Sequence, residues 1–173
     1  MFSYEQATGL LGLSKKIIQN DKPVDSFNYH PKFPIFRDRK HLLCEEEKLF
    51  FLLQIDQSRK NNLKLTLHLQ DDDSSLGLLR VDFNGRHRNP EGITDKVPEI
   101  FKPFAGIFIE ESHIHYHVEG YGALEWAIPL GMDGSFSKKT FNTANDFESI
   151  FRAFSQKINL VTKVNITMQG QLV

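Results

Sequence analysis

The stretch LKLTLHLQDDDSSLGLLRVDFNG, residues 63 to 85, decides the fold. Leu65, Leu67 and Leu69 alternate with Thr66, His68 and Gln70. After DDDSS, Leu79, Val81 and Phe83 alternate with Arg80, Asp82 and Asn84. Side chains of a strand point to opposite faces with period two, so each run is a strand with one apolar and one polar face. The short acidic, serine-bearing link is a turn, which makes the pair antiparallel.

Working outward, KLFFLLQIDQS (48–58) sets Phe51, Leu53 and Ile55 against Gln54 and Asp56. HIHYHVEGY (113–121) sets Ile114, Tyr116 and Val118 against His113, His115 and His117, with Glu119 and Tyr121 at the same spacing. LEWAIPL (124–130) adds a short fifth strand. Residues of about 3–20 form a helix capped by Ser3 with Gln6, its apolar face Leu10, Leu11, Leu13, Ile17 and Ile18. A second helix runs over about 145–158, capped by Asn145, with Phe147, Ile150, Phe151, Phe154 and Ile158 on one face. Residues 21–36 are a proline-bearing loop, and the tail from Val161 is a strand or an irregular end. The predicted fold is one α+β domain over residues 1–173. It has an antiparallel sheet of four to five strands within about 48–128, and both helices pack on its apolar face.

The chain has 173 residues, 40% hydrophobic and 25% charged, the composition of a globular protein. Fifteen phenylalanines point to an aromatic core. A net charge of −1 excludes a global field for polyanions, so an anion site must be a local basic patch. The single cysteine, Cys44, precludes an internal disulfide and suits a reducing compartment; Glu45–Glu47 beside it argue against a nucleophilic thiolate. With no basic, apolar leader and no apolar run of about 20 residues, the expected location is the cytoplasm, away from membranes. Neither GxGxxG nor a Walker loop is present.

The polar face collects Asp56, His68, Gln70, Arg80, Asp82, Asn84, His113, His115, His117 and Glu119. Three chemistries compete for it. His-x-His on a strand points two imidazoles the same way, with Asp82 or Glu119 as a third metal ligand, though no HExxH or cysteine cluster accompanies it. Acid–base cleavage of RNA without metal or cofactor would use His113, His115 and Glu119, with Asp82 orienting them and Arg80 or Arg86 on the phosphate. The plain structural alternative is an Arg80–Asp82 pair across the sheet. Binding alone would use the basic patches Arg86-His87-Arg88 and RDRKH (37–41, with Arg37 and Lys40), and Tyr121 as a stacking ring. Tyr116 belongs to the core in this register, and Trp126 to the core or the sheet edge. The preferred reading of HIHYHVEGY is the metal-free acid–base site.

LLRVDFNGRHRNPEG, then HIHYHVEGYGALEWAIPL, then FNTANDF resemble an uncharacterised family of small proteins carried by prophages and mobile elements of low-GC Gram-positive bacteria. The resemblance spans about residues 49–155 and falls on Asp82, Asn84, Asn89, Pro90, His113, His115, Glu119, Gly120, Tyr121 and Trp126. The chain departs from that pattern at Ser112, at His117, and at Arg86 and Arg88. The family is similar to type II anti-CRISPR proteins that lead to guide-RNA truncation. The resemblance therefore implies guide RNA and a CRISPR effector nuclease as partners. A ribonuclease toxin of a toxin–antitoxin pair and a non-catalytic protein-binding inhibitor are the competing functions. An unpaired outer strand leaves a homodimer open.

Overall fold

The computed structural model describes residues 2–58 and 63–168. The chain runs α1 (Tyr4–Gly12), β1 (Lys16–Gln19), β2 (Lys22–Pro23), β3 (Ser26–Tyr29), β4 (Arg37–Cys44), β5 (Leu49–Gln57), β6 (Leu65–Asp71), β7 (Gly77–Phe83), β8 (His87–Arg88), β9 (Phe108–Ile109), β10 (His113–Tyr116) and β11 (Trp126–Pro129). The short α2 (Leu130–Asp133), α3 (Phe147–Lys157) and β12 (Lys163–Ile166) follow. The fold is α+β, built on an antiparallel sheet of eight strands in the order β11-β10-β7-β6-β5-β4-β1-β2. The expectation of four to five strands is corrected by three strands that sequence periodicity left in a helix, a loop and a charge run.

The first correction is the N-terminal helix. It is capped by Ser3, whose hydroxyl accepts from the Gln6 amide while the Gln6 side chain accepts from the Ser3 amide. It ends at Gly12 rather than near residue 20. Ile17 and Ile18 are β-branched and sit better in a strand, where Ile17 pairs with Leu42. Asn20 and Asp21 both take positive φ (51° and 61°), the two-residue turn that joins β1 to β2.

Paired residues of neighbouring strands share a face. One face of the sheet carries Leu53, Ile55, Leu65, Leu67, Leu69, Leu79, Val81, Ile114 and Ile128, all buried. Ala7 and Leu11 of α1 and Phe147, Ile150, Phe151 and Phe154 of α3 join the same core. Trp126, Tyr116 and Cys44 lie with them; Cys44 is fully buried. A short 3₁₀ turn, Ala144–Asp146, precedes α3, and Thr143 rather than Asn145 closes its capping box. Among the described residues no helix is long and apolar enough to cross a membrane.

Lys15 joins the two ends of the chain. It is fully buried, and its ammonium donates to the carbonyls of Leu10 (2.7 Å), Leu11 (3.1 Å), Leu13 (2.7 Å) and Ile158 (2.9 Å). Three of these carbonyls lie at or just past the end of α1 and the fourth just past the end of α3. Helix C-termini leave such carbonyls without partners and carry partial negative charge, so a cation fits there.

Candidate functional site: a buried histidine–aspartate centre behind an open polar face

Strand register lays the polar face out in two adjoining rows. One runs Arg39, Gln54, His68, Arg80, His115; the other runs Arg37, Asp56, Thr66, Asp82, His113. The two rows meet in a compact group on β7 and β10. Asp82 Oδ2 lies 2.8 Å from Arg80 Nε, 3.2 Å from His115 Nε2 and 3.5 Å from His113 Nε2. The Thr66 hydroxyl donates to Oδ1 at 2.5 Å. Arg80 Nη2 also reaches His115 Nε2, at 3.1 Å.

The half of this face over β10 and β11 is covered. The RHRN segment turns back over it: His87 and Asn89 point inward, while Arg86 and Arg88 point to solvent. His87 Nε2 donates to the Glu125 carbonyl, and its ring packs edge-on against His115 at 4.6 Å. Asn89 accepts from the Ala127 amide and donates to the Ala127 carbonyl, taking the place of a further strand on the β11 edge. Gly85 permits the closure: a Cβ there would stand 3.1 Å from both Asp82 Cβ and His113 Cε1. In consequence His113 and His115 are 1% and 0% exposed, whereas the Arg80 side chain is 35% exposed.

Of the residues expected at the site, Asp82, His113, His115 and Arg80 come together, with His87 against them. Glu119 lies beyond the end of β10 and pairs with Lys96 at 3.8 Å, outside the contacts that hold Asp82. Tyr121 is no stacking platform on this face. Its strand has ended, its hydroxyl donates to the Gly92 carbonyl, and its ring packs edge-on against Trp126. His117 also leaves the row; its Nε2 donates to the Phe2 carbonyl. Lys40 falls on the opposite face, over the rings of Phe27 and Tyr29, because strand alternation splits RDRKH: Arg37, Arg39 and His41 face one way, Asp38 and Lys40 the other. Arg37 pairs with Asp56 and Arg88 with Glu91. His68 and Thr66 adjoin the same polar group, and only their period-two placement signalled it.

Burial, then the Arg80 charge, push the His115 imidazole down to about 4; His68 is pushed to about 4 by the same two causes. Burial alone would raise the Asp82 carboxyl, but its contacts with His113 and His115, the Arg80 charge and the Thr66 hydroxyl hold it far below the usual carboxylate range.

These shifts predict acid lability. As pH falls from about 6.5 to about 4, the unfolded chain takes up protons that folded His68 and His115 refuse, so stability declines. Each shift, if fully realised, is worth roughly 3 kcal/mol, and the two share Arg80, so the loss is less than their sum. The depressed Asp82 acts in the same sense lower down: its stabilisation is present above the unfolded carboxylate value and lost as pH falls below it. Urea melts in chelator across that window check this; an unchanged midpoint would contradict neutral, buried imidazoles.

The profile of a family of unknown function, DUF6978, matches residues 2–160. The chain belongs to this family. The DUF6978 match spans the whole of the centre from Thr66 to His115, and α1 and α3 besides. No curated protein and no solved structure matches the chain.

Proposed function

We propose that this chain is an RNA-binding protein that holds the phosphate backbone on the uncovered half of its polar face. Arg80 carries the reading. It is anchored by Asp82 and His115 on one side and meets solvent on the other. A phosphate that draws it outward would find Arg39 in the same row, three strand spacings or about 14 Å away, and Arg37 in the next row. Half-exposed Gln54, Gln70 and Thr66 between them supply neutral hydrogen-bonding groups. The resemblance to mobile-element proteins makes guide RNA on a type II CRISPR effector nuclease the first target to try, with cleavage promoted in that complex.

A ribonuclease, of the anti-CRISPR or the toxin kind, is the second reading. One observation favours it: His68 and His115 flank Arg80 in a single row. Acid–base cleavage needs one imidazole charged and one neutral near the working pH. Both are held neutral here, so the row supplies bases without an acid, and binding is the better-supported function.

The test is a native and denaturing gel of end-labelled guide RNA with the protein, with and without the effector nuclease, and with EDTA in parallel. A retarded complex with intact RNA in the absence of effector is the expected result. No retardation in any lane overturns RNA binding. Discrete shortening by the protein alone, lost in His115→Gln, would establish the ribonuclease instead.

A further inference from the structure

We propose that Asp82, His113 and His115 form a binding site for a divalent first-row transition ion such as Zn²⁺. This inference stands whether or not RNA is the target. It replaces the expectation of a metal-free centre.

The convergence of three ligand atoms on buried side chains carries it. His113 Nδ1 lies 2.8 Å from the Glu111 carbonyl, which can only accept, so Nδ1 donates there and Nε2 is the ring nitrogen turned toward Asp82. His115 Nε2 lies 3.1 Å from Arg80 Nη2 and 3.2 Å from Asp82 Oδ2, while Nδ1 of the same ring is buried with no hydrogen-bond partner among the described residues. The third atom, Asp82 Oδ2, is a carboxylate oxygen. Three potential ligand atoms on buried residues therefore face one another, 3.2 and 3.5 Å from Oδ2 to the two imidazole nitrogens, and all lie within 4.8 Å. Arg80 serves Oδ2 and His115, but no contact takes it to His113 Nε2.

A metal ion satisfies all three. Zinc bonds of about 2.0–2.1 Å at tetrahedral angles put neighbouring ligand atoms about 3.3 Å apart, which the two observed separations bracket. The supporting contacts are those a metal site requires. The Glu111 carbonyl holds His113 Nδ1, and Thr66 engages Oδ1, so Oδ2, on which Arg80 Nε now sits, is the oxygen that faces both imidazoles. Two imidazoles and one carboxylate suit a first-row ion, and three protein ligands leave a position toward Arg80 for solvent or a phosphate oxygen. On binding, the Arg80 guanidinium moves out toward the open face, since it cannot stay beside a second cation.

Chelator-stripped, tag-free protein titrated with Co²⁺, followed by visible absorption and back-titrated with Zn²⁺, tests the site. One equivalent with a low-symmetry, intense Co²⁺ spectrum, displaced by Zn²⁺, is expected. His113→Gln and His115→Gln, checked for folding by circular dichroism, should each weaken binding by at least about 100-fold, since even supporting residues are worth 10–100-fold. Arg80→Gln should bind about tenfold more tightly, because it removes the competing cation. A merely structural ion-pair network would not yield that tightening. Failure of both the wild type and Arg80→Gln to take up one equivalent overturns the proposal. So does stoichiometric binding that survives in the His113→Gln, His115→Gln double variant.

Discussion

Replacing Lys15 by Met should lower the free energy of unfolding by about 3–5 kcal/mol and the melting temperature by roughly 10 °C or more for a chain of this size. Methionine keeps the length and the apolar stem of a side chain whose Nζ lies 4.7 Å from the Phe51 ring centroid. It offers no donor. The carbonyls of Leu10, Leu11, Leu13 and Ile158 would then lose the hydrogen bonds that the ammonium makes in the interior. Charge-assisted hydrogen bonds of this kind are the strong ones, and loss of the donor leaves buried acceptors desolvated. Removal of a buried charge offsets part of the cost, which is why the figure is not larger. The neighbouring Lys16, which pairs with Asp25 and Glu45 at the surface, is the control: Lys16→Met should cost less than about 1 kcal/mol. Thermal melts of the two variants decide the matter. Equal melting temperatures would mean that Lys15 does not tie α1 to α3.

Asp82→Ala is the second large expected loss, again about 3–5 kcal/mol. The carboxylate is the common partner of Arg80, Thr66 and both histidines, and it is 4% exposed. Its removal strands the Arg80 guanidinium and leaves the Thr66 hydroxyl without its acceptor. Arg80→Met alone should cost less, because that side chain reaches water. The double variant Asp82→Ala, Arg80→Met should be more stable than the sum of the singles by about 1–3 kcal/mol, the coupling expected of direct partners. Chemical denaturation of the four proteins closes the cycle. Strict additivity would contradict a shared centre.

The central strands were readable because alternation is strict where one face is buried: β5, β7 and β10 fall within the expected runs, and β6 passes its run by one residue, Asp71. The same rule placed Asp82, His113 and His115 on one face. It failed where a strand stopped early. β10 ends at Tyr116, so His117, Glu119 and Tyr121 no longer obey period two. Ile17 and Ile18 fit a helical face as well as a strand, and only the Asn20-Asp21 pair hinted at a hairpin. Lys15 and Lys16 are indistinguishable in sequence, yet one is sealed in the core and the other lies at the surface. Nor does local pattern say that the RHRN segment folds back over the histidines, because that closure depends on Asn89 meeting Ala127, 38 positions away. The meeting of Asp82, Arg80, His113 and His115 was thus legible, while the departure of Glu119, Tyr121 and Lys40 and the burial of the histidines were not.

The most direct measurement is the affinity of the protein for fluorescent guide RNA, by anisotropy over a range of salt, for wild type, Arg80→Gln, Arg39→Gln and Lys40→Gln. Loss of a phosphate contact should weaken binding and reduce the salt dependence by about one ion per arginine. Both arginine variants should show this, and Lys40→Gln, on the opposite face, should bind as wild type does. Wild-type affinity in Arg80→Gln and Arg39→Gln, or a loss confined to Lys40→Gln, would contradict RNA binding on the open polar face.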